Sequence, residues 1–397
     1  MNQEFFTYLP SELIINILSR LPIRTIISCK CVCKSWHNLL DTPEFAKSHL
    51  SISVPGLILY ESRGHLESRR LLAYMEIIEF EDELDLEAHE LHYNPVTEIS
   101  CREFINEEYP GLGIQGSANG LVCFRKIGQH PETVYVCNPI TRDYIQLPTP
   151  GTIWHYPTIV TYGFGASKTS GQHKVVRIYH ECRRDPDTHK LLGIPKSECW
   201  VYTLGTGSWR RIAPGPKLEY NCRSTGAFLN GNLHWLVTDL EGTDWISCLD
   251  LETEVFSTFS PPPAIPERSR FLGGLTVLGD CLCMCDNTSD DEIVIWLMKE
   301  YGVEKSWTKE FVISKVPNYA GKSYEVVYPI KIFKDGDILM AWQEFNLFYH
   351  SLKNKTTANV DIPKLHTTMT TYSKEAMLHT PTFLSLQSFA MENVCSF

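Results

Sequence analysis

The amino-acid sequence predicts an α+β chain in two parts. A helical unit spans residues 1–50, and an all-β region spans 51–390, built from about six repeated sheets. Three observations carry this. Apolar residues in the first fifty positions recur at helical spacing. Beyond residue 50 that periodicity vanishes, and short apolar runs alternate with Gly, Asn, Asp and Pro. The runs then repeat at near-constant intervals.

In the helical part, Leu13, Ile14, Ile17, Leu18 and Leu21 recur at i, i+1, i+4, i+5 and i+8, one wide stripe on an α-helix. Pro10 and Ser11 suit a helix start, and Glu12 meets the positive end of the helix dipole. Pro22 stops this helix and opens the next, because a first turn does not use the missing N–H. Ile23, Ile26 and Ile27 form a second apolar run, and Val32, Trp36, Leu39 and Leu40 a third. Three helices in about forty residues cannot bury all these side chains among themselves. One face is expected to form the unit's own core and another to meet a foreign surface.

In the β part, turn dipeptides feed strand-like runs. Asn119-Gly120-Leu121-Val122-Cys123-Phe124 matches Asn230-Gly231-Asn232-Leu233-His234-Trp235, then Gly279-Asp280-Cys281-Leu282-Cys283-Met284 and Asp335-Gly336-Asp337-Ile338-Leu339-Met340. A further unit pairs Val175–Tyr179 with Trp200–Arg210 between the first two. Asn119 and Asn230 are 111 residues apart, which makes two units. The next two intervals, Gly231 to Gly279 and Gly279 to Gly336, are 48 and 57. Several strands per unit at a period near fifty is the pattern of kelch-like propeller blades, which stack radially because one blade cannot bury both faces. Five units are clear. Residues 55–100 read as a sixth, and Thr382–Leu386 as the strand that closes the ring. The two parts are expected to separate near Val54-Pro55.

Composition narrows the function classes. Of 397 residues 43% are hydrophobic and 21% charged, an ordinary globular balance. A net charge of −11 argues against nucleic acid or an anionic membrane as the main partner. No apolar run reaches bilayer-spanning length. Met1-Asn2-Gln3-Glu4 lacks a basic leader, so the expected location is the cytoplasm or nucleus, where the fourteen cysteines stay reduced. Neither Cys29/Cys31/Cys33 nor Cys281/Cys283/Cys285 has zinc-ligand spacing, so no metal is expected; the second set falls on one face of a strand. Gly111-Leu112-Gly113-Ile114-Gln115-Gly116 matches a dinucleotide fingerprint without the strand before it or the helix after it, and no cofactor is expected. The acidic run Glu76–Glu87 reads as a solvated strand and loop with Phe80, Leu84 and Leu86 turned inward.

Residues 9–50 resemble the F-box, through Leu9-Pro10, Glu12-Leu13, Ile17-Leu18, Leu21-Pro22, Val32-Cys33-Lys34-Ser35-Trp36 and Phe45. Ser28-Cys29-Lys30-Cys31 departs from the family's bulkier run. Roughly residues 95–270 resemble the F-box-associated domain of plant F-box proteins. The residues behind that are Gly116-Ser117-Ala118-Asn119-Gly120-Leu121, Cys137-Asn138-Pro139-Ile140-Thr141, Tyr162-Gly163-Phe164-Gly165, Lys174-Val175-Val176-Arg177, Ser208-Trp209-Arg210 and Asn230-Gly231-Asn232-Leu233-His234-Trp235. The resemblance implies a non-catalytic receptor subunit of a ubiquitin ligase. It would bind a Skp1-type adaptor, and through it a cullin–RING complex, while the β domain takes a protein substrate. The docking set is Leu9, Pro10, Ile14, Ile17, Leu18, Leu21, Pro22, Val32 and Trp36. A non-degradative scaffold and a propeller oxidase are the alternatives. For the substrate, Trp154, Tyr156, Arg183, Arg184, Trp245 and Arg268 fall in predicted inter-strand loops and are the anchor types that protein interfaces favour.

Overall fold

Four short helices occupy the first fifty residues, one more than the apolar runs predict. They are α1 (Ser11–Leu18), α2 (Ile23–Cys29), α3 (Lys34–Leu40) and α4 (Pro43–Leu50). The fourth has a legible start: Thr42 caps it by accepting from the Phe45 N–H at 3.2 Å, and Pro43 fills the first turn. The structure, a computed structural model, describes residues 9–65, 70–80, 94–129, 132–150, 158–181, 196–215, 219–220, 225–239, 243–263, 275–287, 289, 291–314, 327–342, 346–360 and 370–397.

The β region is a six-bladed propeller. Blade 1 holds β1 (Gly56–His65), β2 (Arg70–Ile78) and β3 (Pro95–Ser100). Blade 2 holds β4 (Leu112–Ala118), β5 (Leu121–Lys126), β6 (Val134–Asn138) and β7 (Asp143–Gln146). Blade 3 holds β8 (Thr158–Ala166), β9 (His173–Glu181), β10 (Lys196–Thr203) and β11 (Trp209–Ile212). Blade 4 holds β12 (Glu219–Tyr220), β13 (Ala227–Leu229), β14 (Asn232–Thr238), β15 (Asp244–Asp250) and β16 (Phe256–Phe259). Blade 5 holds β17 (Leu275–Leu278), β18 (Cys281–Asp286), β19 (Glu292–Met298) and β20 (Trp307–Ser314). Blade 6 holds β21 (Val327–Ile332), β22 (Ile338–Trp342), β23 (Asn346–Ser351) and β24 (Thr356–Asn359). Then β25 (Thr370–His379) pairs with β1 and completes blade 1, while β26 (Val394–Ser396) extends blade 2 beyond β7.

Closure therefore corrects the sequence reading. The closing strand is Thr370–His379, and 382–386 is not a strand. That stretch runs alongside blade 2, where the Asn138 amide donates to the carbonyls of Thr382 (3.1 Å) and Leu384 (2.7 Å). It lies so close that a Cβ on Gly120 would meet the Thr382 side chain at 1.8 Å. Asn119 and Gly120 also both have positive φ, as the tight β4–β5 turn requires, so the Asn-Gly pair serves turn and packing together.

The core is a ring of inter-blade layers. Ile58 and Tyr60 of β1 pack toward blade 2, while Leu57 and Leu59 pack toward blade 6. Strands buried on both faces read as continuous apolar runs, which is why alternation is weak in this chain. Trp235 is fully buried between blades 3 and 4, and a Cβ on Gly163 or Gly226 would lie within 3 Å of its ring. The Gly-x-Gly-x-x-Gly run is spent on β4, where a Cβ on Gly116 would meet the Phe164 carbonyl oxygen at 3.0 Å.

Candidate functional site

The antiparallel strands open on two rims. The helices sit on the rim that carries the end of β2, the start of β3, the β6–β7 turn and the segment after β25. Hydrogen bonds and apolar packing hold them there. The Ile23 N–H at the start of α2 donates to Glu79 Oε1 at 3.0 Å. Arg24 Nη2 donates to the Asn94 carbonyl at 2.8 Å, and Ser53 Oγ to the Pro381 carbonyl at 3.2 Å. Phe383 is buried in the helical core with Leu18, Ile23, Ile26, Cys29, Leu40 and Phe45. Its ring stands edge-on to Phe45 and to His49, and Lys30 Nζ lies 5.3 Å from its centroid. Burial pushes the His49 imidazole down to about 4, so it is neutral at physiological pH. Glu79, read from sequence as a solvated carboxylate, is instead a cap for α2, and burial raises its carboxyl above the ordinary range.

The expected docking set divides. The α1 stripe is wide enough to face two ways. Leu18 is 3% exposed and belongs to the helical core, which removes it from a docking face. Ile17, about 100° around the helix from it, is 56% exposed. Leu13, one turn before Ile17 and 52% exposed, shares that outer face, although the docking set omits it. Val32 is 63% exposed, and Pro10 and Pro22 are exposed as well. Leu9, Ile14, Leu21 and Trp36 are half-buried. Among the described residues, an outward apolar face thus remains on α1, and Val32 is exposed before α3.

The opposite rim receives the ends of β5, β9, β14 and β18 and the starts of the strands that follow them. Of the residues expected to hold substrate, Trp154, Tyr156, Arg183, Arg184 and Arg268 lie outside the described residues. Trp245 is described, and it corrects the reading: it is part of β15, not of a loop. It is half-buried against the layer between blades 3 and 4, and its indole N–H donates to Asp239 Oδ2 at 2.9 Å. Every cysteine among the described residues is a free thiol. Cys283 and Cys285 are buried and Cys281 packs against the same layer, as the alternating spacing predicts. Cys31 and Cys33 are exposed. No group of three potential metal ligands occurs among the described residues.

Comparison with known proteins agrees with this architecture. Residues 6–48 match the model of the F-box domain, and residues 86–384 match that of the F-box associated beta propeller domain. The Arabidopsis thaliana F-box protein At3g07870 is 26% identical over 367 residues, covering 84% of this chain and 83% of that protein. The F-box protein CPR1 of the same plant is 26% identical over 377 residues, 89% of this chain and 84% of CPR1. Among solved structures, the Aleuria aurantia lectin, described as a six-bladed propeller, covers 79% of this chain and 97% of its own, at 9% identity and a TM-score of 0.39. That score is too low to add to the strand pairing above.

Proposed function

Since this chain belongs to the F-box associated beta-propeller family and carries an F-box ahead of its propeller, we propose that it is the substrate-receptor subunit of an SCF-type ubiquitin ligase. The outward apolar face of Leu13 and Ile17, one turn apart on α1, carries the reading. A soluble chain rarely leaves adjacent large aliphatics this exposed on a helix unless a partner covers them. The partner is a Skp1-type adaptor, which brings a cullin–RING complex. This chain contributes no catalytic group; it raises the local concentration of a protein substrate near the ubiquitin-transferring subunits. Its place is the cytoplasm or nucleus, where its free thiols stay reduced. The rim far from the helices holds the substrate, since the helices occupy part of the near rim.

The test is reconstitution with a Skp1-type adaptor and cullin–RING partners. Wild type should be captured, and Leu13→Asp with Ile17→Asp should not be, while both melt alike. Capture of the double variant at wild-type affinity would sink the docking assignment. Affinity capture with and without proteasome inhibition then separates degradation from scaffolding. The double variant is the control of choice, because deleting the helices would expose Phe383.

A further inference from the structure

The interface between blades 2 and 3 holds two guanidinium groups around one tyrosine. Tyr162 of β8 pairs in register with Arg177 of β9, so both side chains lie on one face of blade 3. The neighbouring Gly163 packs on Trp235 of blade 4, so that face is turned to blade 2. Arg177 Nε donates to the Tyr162 hydroxyl at 3.2 Å, and its Cζ lies 5.9 Å from the Tyr179 ring centroid. From blade 2, Arg125 at the far end of β5 lays its Cζ 5.8 Å from the Tyr162 centroid.

The charges do not balance. Glu132 pairs with Arg177 at 3.5 Å, and both side chains are more than nine-tenths buried. Arg177 Nη1 is nevertheless buried with no acceptor among the described residues, and so is Arg125 Nε. Arg125 makes no ion pair among the described residues and is half-buried, near the far-rim end of its strand. The other carboxyl near it, Glu375 of β25, is committed to the Ile114 N–H at 2.7 Å. Burial pushes Glu375 up to about 8, so it supplies little negative charge at neutral pH. Among the described residues, Glu132 is thus the one carboxylate that pairs with either guanidinium, in a chain whose net charge is −11. An unpaired buried donor is costly, and a guanidinium fork matches carboxylate and phosphate geometry.

We propose that Arg125 and Arg177, held on Tyr162, form an oxyanion-recognition site that takes an acidic or phosphorylated side chain of the captured protein. The site rests on the receptor reading for the identity of its ligand but not for its existence. It lies on the far rim, so an anion held there leaves the docking helices free.

The experiment titrates the full chain with inorganic phosphate, O-phosphoserine and N-acetylaspartate at constant ionic strength, using chloride as the balancing anion. Binding is read by calorimetry and by the shift in melting temperature. Saturable binding is expected, weakened roughly tenfold or more in Arg125→Gln. Arg125→Lys, which keeps the charge and loses the fork, should fall between. Preference for the phosphate compounds assigns a phosphorylated residue, and preference for N-acetylaspartate assigns Asp or Glu. Arg177→Gln is a second probe, but Arg125→Gln decides, because its half-buried position makes folding safe. Absence of saturable binding by all three anions, or equal binding by Arg125→Gln, overturns the site. Adaptor capture measured on the same samples reports on the receptor reading separately: failure there, with anion binding intact, leaves this site standing.

Discussion

The ring of Phe383 stands edge-on to that of Phe45, with centroids 5.7 Å apart and planes at 61°. A residue near the C-terminus thus completes the core of the first fifty residues. The helices do not close on themselves, and the segment that closes them is anchored to blade 2 by Asn138 and to blade 3 by Glu392. The Glu392 carboxylate accepts from the Tyr202 hydroxyl at 2.8 Å and from the Gly205 N–H at 2.7 Å. The orientation of the docking face against the far rim is set by this tail as well as by the linker at residues 51–55.

Phe383→Ala should therefore loosen the helices while leaving the propeller formed. A buried Phe→Ala change costs roughly 3–5 kcal/mol. Hydrogen exchange should show lost protection over 11–50 and unchanged protection in β4–β6, with adaptor capture weakened. Full protection of the helices in this variant would mean that Phe383 is an ornament of the core rather than a part of it.

Neighbouring positions on α1 should behave as opposites. Ile17→Asp should keep the fold and lose the adaptor. Leu18→Asp should unfold the helical unit, because an unpaired carboxylate is placed among Ile26, Leu40 and Phe45. Circular dichroism and adaptor capture on both variants decide this. Equal loss of helix in both would contradict the division of the stripe.

At the boundary of blades 4 and 5, His234 Nδ1 lies 3.0 Å from the Ala227 carbonyl and must carry the proton. Its Nε2, 2.8 Å from the Tyr301 hydroxyl, then accepts. Tyr301→Phe would leave a buried acceptor unpaired, so a loss of about 1–3 kcal/mol is expected in urea unfolding. An unchanged midpoint would show that the bond contributes nothing.

Two titrations should act with opposite signs. Burial lowers His173, His180 and His234 to about 4. Between the ordinary histidine value of 6.5 and about 4 the unfolded chain binds protons that the folded chain refuses, so stability present above 6.5 is lost as pH falls through that window. Glu375 is pushed up to about 8 from 4.5, so its unfolded form releases a proton that the folded form keeps, and stability is lost as pH rises through that range. Glu375→Gln keeps an acceptor for Ile114 and removes the charge. It should raise the urea midpoint at pH 8.5 relative to wild type and change it little at pH 4.5. A variant destabilised at pH 8.5 would show that Glu375 is ionised and paired in the fold.

Much of this was legible in the sequence because the determining signals are local. The α1 stripe and the Pro22 break act within a few residues, and so does the positive φ that the Asn-Gly turns demand at Asn119 and Asn230. The fifty-residue spacing gave the number of blades because each blade is one supersecondary unit. What the sequence could not carry was any relation between distant positions. Leu18 and Ile17 are equally apolar, and only packing against Phe383 and the helical core decides which one turns inward. Glu79 belongs to an acidic run, and only the approach of α2 makes it a cap. Thr370–His379 carries no stronger strand signal than 382–386, and the ring closes through it because β1 offers a free edge there. Arg125 and Arg177 lie in different blades, and their shared tyrosine exists only once β5, β8 and β9 are stacked. Periodicity and turn chemistry are written along the chain; the choice of inner face, the closing strand and the meeting of charges depend on which surfaces the fold brings within a few ångströms.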